Sequence, residues 1–276
     1  MSALPCTWIM ETGEEQMTTK FDVHGLICPI VTPMTDEQDP DLEATRDLVL
    51  ALDGAGVDVL ELGIPFSDPT ADGPAIQKAS QEALRSGTTL SRVLRLLGDL
   101  RKSTEIPTVL FSYYNPIFVF GNQRFSREAA AAGADGVLVV DLPLEEAAEL
   151  KNFIDKAGLA LIPLVAPTTG AERIEKIARE ASGFIYYVSL TGVTGTGIPV
   201  LEELRENVGR IKSKTELPVV AGFGISTPAQ AREIASAADG VVVGSAFIRL
   251  IAEKGNGRGV TEAVGAMAKN FKDALV

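Results

Sequence analysis

The chain has 276 residues, 46% hydrophobic and 22% charged, with a formal charge of −12 and a pI near 4.7. That length buries a large core and suits one barrel-type domain as well as two smaller ones. The acidic balance argues against nucleic-acid binding, and no apolar run approaches the roughly 18–20 residues of a membrane span. Two cysteines, Cys6 and Cys28, and one histidine, His24, leave no basis for a disulfide framework, a thiolate cluster or a zinc site. No metal is therefore expected, and a reducing, cytoplasmic setting fits.

Residues 1–20 lack the charged start and long apolar centre of a signal peptide. They are expected to be a disordered extension, with Met17 as an alternative start, and residues 21–276 to be a single catalytic domain. From there short β-branched runs alternate with Ala-, Glu-, Leu- and Arg-rich segments. The runs predict strands at Gly25–Val31, Val57–Ile64, Thr108–Tyr114, Gly136–Asp141, Ala160–Leu164, Phe184–Ser189, Val219–Gly222 and Gly240–Val243. Helices are predicted near 41–54, 75–101, 123–132, 144–157, 170–181, 199–213, 227–236, 245–253 and 260–275. Eight βα units predict a (β/α)₈ barrel. A doubly wound sheet would carry a Gly-rich fingerprint after its first strand, and here that strand ends in Thr32-Pro33. AGVDVLELG, AGADGVLVVD and AADGVVVGS repeat one pattern, a small residue, then Asp, then a strand.

In such a barrel the site forms at the C-terminal ends of the strands. The second strand carries Glu61 between Leu60 and Leu62. With a period of two, Val57, Val59, Glu61 and Gly63 share one face and Leu60, Leu62 and Ile64 the other, so Glu61 points into the barrel. Burial there raises a carboxyl pKa and suits proton transfer near neutral pH. The following loop holds Ser67, Asp68, Asp72 and Gly73, and spacing alone does not choose between Asp68 and Asp72. The third strand ends in Phe111-Ser112-Tyr113-Tyr114-Asn115-Pro116, either pocket lining or barrel packing. The fourth ends in Asp141, either a helix cap or a site residue. After the sixth strand, Gly192, Gly195 and Gly197 suggest a loop that is either mobile or approaches a phosphate. Gly224, Gly244 and Ser245, after the seventh and eighth strands and at a helix start, offer backbone N–H groups to a phosphate dianion. The residues alone therefore point to a barrel enzyme for a phosphorylated substrate, with acid–base chemistry on Glu61 and Asp72 as a second candidate.

LELGIPFSDPTADGPAIQ, with YYNPIF, VDLPLEE, YVSLTGVTG, GFGIS and VGSA in that order, resembles the tryptophan synthase alpha-subunit family over roughly residues 39–253. The resemblance implies retro-aldol cleavage of indole-3-glycerol phosphate to indole and glyceraldehyde 3-phosphate, without a cofactor. It assigns proton transfer to Glu61 and the indole N–H contact to Asp72. Phosphate binding falls to Gly195, Gly224, Gly244 and Ser245, and the indole pocket to Phe111, Tyr113, Tyr186, Thr194 and Phe223. It also implies a tryptophan synthase beta chain as partner, in an alpha2beta2 assembly. Two stretches depart from the family pattern. The run after Thr32 is about four residues longer than the usual Gly-Asp-Pro turn, in a region that meets the beta chain. The loop after Gly195 is shortened to TGIP. Two other functions remain open at this point, a stand-alone lyase releasing free indole and a non-catalytic activator of a beta chain. The segment GLICPIVTPMTDEQ also looks like the first strand of the dihydrodipicolinate synthase type of Schiff-base lyase, but FIYYVS on the sixth strand lacks the lysine that chemistry needs.

Overall fold

The computed structural model describes residues 21, 23, 25–31, 42–188, 198–222, 224–255 and 258–276. Cys6, His24, the run after Thr32 and the loop from Thr191 to Gly197 lie outside the described residues, as do residues 1–20. The first half comprises β1 (Leu26–Val31), α1 (Leu42–Gly54), β2 (Val59–Gly63), α2 (Pro74–Arg85), α3 (Leu90–Leu100), β3 (Thr108–Ser112), α4 (Tyr114–Phe120), α5 (Asn122–Ala131) and β4 (Gly136–Val139). There follow α6 (Ala148–Lys156), β5 (Ala160–Ile162), β6 (Leu164–Val165), α7 (Ala171–Glu180), β7 (Ile185–Val188), α8 (Ile198–Lys212), β8 (Val219–Gly222), α9 (Pro228–Ala235), β9 (Gly240–Val242), α10 (Ser245–Lys254) and α11 (Arg258–Ala274).

All pairings are parallel, in the order β5-β4-β3-β2-β1-β9-β8-β7-β6. The two edge segments, β5 and β6, are halves of the expected fifth strand, divided at Pro163. Proline has no N–H for the ladder, so pairing changes sides there. β5 pairs with β4 and β6 with β7, and the Pro163 carbonyl accepts the Tyr186 N–H at 3.0 Å. One short stretch thus joins both edges, and the sheet is the expected (β/α)₈ barrel, nearly closed.

Two helices differ from expectation. The segment predicted at 75–101 is two helices, because Gly87 takes a left-handed φ of +75° and Thr89 then caps α3 by accepting the Arg92 N–H. The run at Tyr114–Phe120, read as a strand end, is helical. Pro116 falls in its first turn, where a missing N–H costs nothing.

Alternating side chains fill two cores. Val23, Ile27, Val59, Val109, Leu138, Ile162, Phe184, Val220 and Val242 fill the barrel, with Phe21 meeting Phe184 edge-on at 5.6 Å. The intervening positions, among them Leu60, Leu62, Leu110, Val137 and Val241, pack against the helices. Val57 joins this outer core rather than sharing the Val59 face. It precedes the strand, and its N–H still bonds to the Leu52 carbonyl of α1.

The repeated aspartates share one role. Asp58, Asp135 and Asp239 precede β2, β4 and β9. Each donates its N–H to the carbonyl of Leu26, Thr108 or Val219, near the start of the neighbouring strand. Each then accepts that residue's N–H on its carboxylate, at 2.6, 2.8 and 2.9 Å. A cation completes every hook: Lys272 from α11 on Asp58, Arg101 at the end of α3 on Asp135, and Lys212 from α8 on Asp239. These hooks satisfy N–H groups at the strand starts and tie the helical layer to the end of the barrel opposite the site.

Candidate active site

The inner face of β2 rises from Val59 to Glu61, so Glu61 enters the barrel one layer above the apolar plug. It is 1% exposed, and its Oε1 has no hydrogen-bond partner among the described residues. Burial pushes its pKa up to about 8. Phe111, Val140, Leu164 and Tyr186 line the inner wall beside the interior core. The Tyr186 ring lies over Gly222, where an added Cβ would fall 2.4 Å from the Tyr186 hydroxyl. Burial, then the charges of Glu61 and Asp72, hold the Tyr186 phenol well above its usual pKa.

The loop after β2 is fixed from two sides. On α2, Ser80 accepts the Phe66 N–H and donates to the Phe66 carbonyl, at 3.0 and 3.1 Å. Gln77 donates to the Asp72 carbonyl at 2.9 Å and to that of Pro69 at 3.3 Å. From β3, the Tyr113 hydroxyl accepts the Ala71 N–H at 2.9 Å and donates to Asp72 Oδ2 at 3.1 Å. Geometry now separates the two loop acids. Asp68 is exposed and takes a hydrogen bond from its neighbour Ser67. Asp72 is half-buried, and burial pushes its pKa up to about 6 against the lowering effect of the Tyr113 hydrogen bond.

Of the other expected residues, Asp141 is a cap, its Oδ1 accepting the Tyr114 N–H at the start of α4 at 2.7 Å. Gly224 has a left-handed φ of +64° and is exposed. Gly244 and Ser245 begin α10, whose first turn has no side-chain cap, leaving N–H groups free of intrahelical acceptors. An added Cβ on Gly244 would meet the Pro29 ring at 2.5 Å. Thr194, Gly195 and Phe223 lie outside the described residues. Gln77 and Ser80, which shape the loop, gave no sign in the sequence beyond being polar positions of an amphipathic helix. A cavity of about 430 Å³ lies elsewhere, between β4, β5, α6 and α7. It touches Asp141 and Leu142 but neither Glu61 nor Asp72.

Glu61, with one buried oxygen unpartnered among the described residues, and the tethered Asp72 thus stand at the same end of the barrel. The sequence model of the family described as tryptophan synthase alpha chain matches residues 23–276. The chain belongs to that family. A tryptophan synthase alpha chain of Citrifermentans bemidjiense is 53% identical over 238 residues, 86% of this chain and 89% of the relative. Among solved structures, tryptophan synthase subunit alpha from Legionella pneumophila has a TM-score of 0.81 at 40% identity, covering 91% of this chain and 92% of that one. A chain of the tryptophan synthase complex from Pyrococcus furiosus has a TM-score of 0.79 at 36% identity, covering 91% and 98%.

Proposed function

We propose that this chain cleaves indole-3-glycerol phosphate to indole and glyceraldehyde 3-phosphate as the alpha subunit of a tryptophan synthase. The observation that carries the reading is the buried Glu61 carboxyl, which has an unpartnered oxygen and burial to keep it protonated near neutral pH. A protonated Glu61 delivers its proton to indole C3. The indole nitrogen becomes cationic, and Asp72, ionised above about pH 6, accepts its N–H and stabilises that charge. The C–C electron pair then returns to the indole ring. The side-chain hydroxyl becomes the aldehyde of the leaving triose phosphate, and its proton restores Glu61. Gly224, Gly244, Ser245 and Gly195 are assigned to the phosphate. Phe111, Tyr186, Thr194 and Phe223 are assigned to the indole. Residues from 21 onward form one catalytic domain in this reading, placed in the cytoplasm, and no cofactor enters the chemistry.

The beta chain is the proposed partner. The Pyrococcus furiosus relative comes from a tryptophan synthase complex, and α4 here exposes Phe118 and Val119 at 60% and 77% on the same end of the barrel as Glu61. The test is indole release from indole-3-glycerol phosphate by the purified chain, alone and with a beta chain. Glu61→Gln and Asp72→Asn should each lower turnover by about 10²-fold or more while retaining a phosphate ligand. Unchanged turnover in either variant removes that residue from the mechanism, and no indole or tryptophan under any condition removes the function.

A further inference from the structure

The resemblance places Tyr113 in the indole pocket, but the geometry gives its hydroxyl another task. We propose that Tyr113 is a positioning residue that holds the Asp72 carboxylate in place through its hydroxyl, rather than a wall of the substrate pocket. The inference rests on the proposed function only for its kinetic readout.

The direction of the hydrogen bonds is forced. The Ala71 amide can only donate, so the Tyr113 oxygen accepts there at 2.9 Å. Its single proton is then free for Asp72 Oδ2 at 3.1 Å. The ring is fixed as well. Tyr113 is 3% exposed, and Phe66 lies against it with centroids 5.3 Å apart. A rigid arm from the end of β3 thus grips two successive residues of the loop after β2. The same hydroxyl favours the ionised form of Asp72, since it donates to the carboxylate. The other acidic and phenolic groups coupled to this pair are Asp141 after β4 and Tyr186 on β7, and Glu61 on β2 acts on Tyr186. Asp141 adds negative charge near Tyr113, and the Asp72 charge acts on Tyr186. Among the described residues the side-chain donor to the Asp72 carboxylate is this phenol.

The test is Tyr113→Phe, which keeps the ring and removes only the hydroxyl. The variant is expected to lose about tenfold in kcat with KM within about twofold, a size typical of one lost donor to a charged group. The acid limb of its pH–rate profile should move upward. In an Asp72→Asn background the same substitution should cost little more, because its effect passes through Asp72. A rise in KM alone, or equal losses in both backgrounds, overturns the proposal in favour of a direct pocket role. NMR titration of ¹³C-labelled aspartate provides a readout free of turnover. The Asp72 signal, assigned by its loss in Asp72→Asn, should titrate at higher pH in Tyr113→Phe than in wild type. An unmoved titration overturns the proposal even if the enzyme is active. A moved titration in a chain that cleaves nothing sustains it while the functional reading fails.

Discussion

Glu61 shows the conflict between stability and chemistry at a single side chain. Below about pH 4.5 the carboxyl is protonated in folded and unfolded chains alike and contributes no difference. Between about 4.5 and 8 the unfolded chain releases the proton and the folded one retains it, so stability falls as pH rises. At pH 7 the penalty is roughly 3 kcal/mol by linkage. Glu61→Gln removes it. This variant should therefore melt several degrees above wild type near pH 7, with the difference vanishing near pH 4. A lower melting temperature near pH 7 would mean that Glu61 is ionised and paired. In the proposed mechanism the same two carboxyls set the pH dependence of turnover. Asp72 must be ionised and Glu61 protonated, so kcat/KM should follow a bell with limbs near 6 and 8. A profile flat from about pH 5 to 9 contradicts this division of roles. Glu61 was legible in the sequence because an acid inside an apolar strand is costly to bury without a task. The choice of Asp72 over Asp68 was not legible from spacing. It depends on burial and on a tyrosine 41 positions away, and the family resemblance alone made that choice in advance.

Among the elements, the βα alternation was legible because strand and helix periods differ. The breaks were less so. The α2–α3 break lies at Ser86-Gly87-Thr88-Thr89, a turn-and-cap signal flanked by two long helical periods that read as one, and α4 hides behind a proline that a first turn tolerates. The repeated small-residue–Asp–strand motif was visible as a repeat, but its role was not, because each carboxylate bonds to a residue 20 to 32 positions away. The role can be tested at Asp58, which holds the Leu26 N–H and Lys272 together. Asp58→Ala strands both partners in a part-buried place and should cost about 2–4 kcal/mol. Lys272→Met leaves the strand hook intact. Its ion pair is only about one-fifth exposed on both sides, but Asp58 keeps the Leu26 N–H, so that loss should be smaller, about 1–2 kcal/mol. Urea unfolding midpoints compare the two directly. Equal losses would show that the ion pair, rather than the hook on β1, carries the stabilisation.

At the scale of the whole molecule the two ends of the barrel have different work. The aspartate hooks close one end. The other holds Glu61, Asp72, the uncapped start of α10 and the short helix α4. A single exposed hydrophobic residue is ordinary on a protein surface, but Phe118 and Val119 are adjacent, and α4 starts directly after Tyr113. α4 is also held to the barrel rim, since Asp141 caps its first residue. A partner seated on Phe118 and Val119 would therefore press on a helix whose first turn adjoins the residue that grips Asp72. This leads to separate expectations for binding and activation. Val119→Asp and Phe118→Asp should leave unassisted cleavage within about twofold, since neither side chain reaches the barrel interior, while weakening beta-chain binding by about 2 kcal/mol or more in sedimentation or titration experiments. Tyr113→Phe should instead bind the beta chain normally but respond to it less, because the arm between α4 and Asp72 has lost its hydrogen bond. Full stimulation of both aspartate variants would place the beta-chain contact elsewhere on this end of the barrel, and normal stimulation of Tyr113→Phe would show that the partner's effect reaches Asp72 by another route.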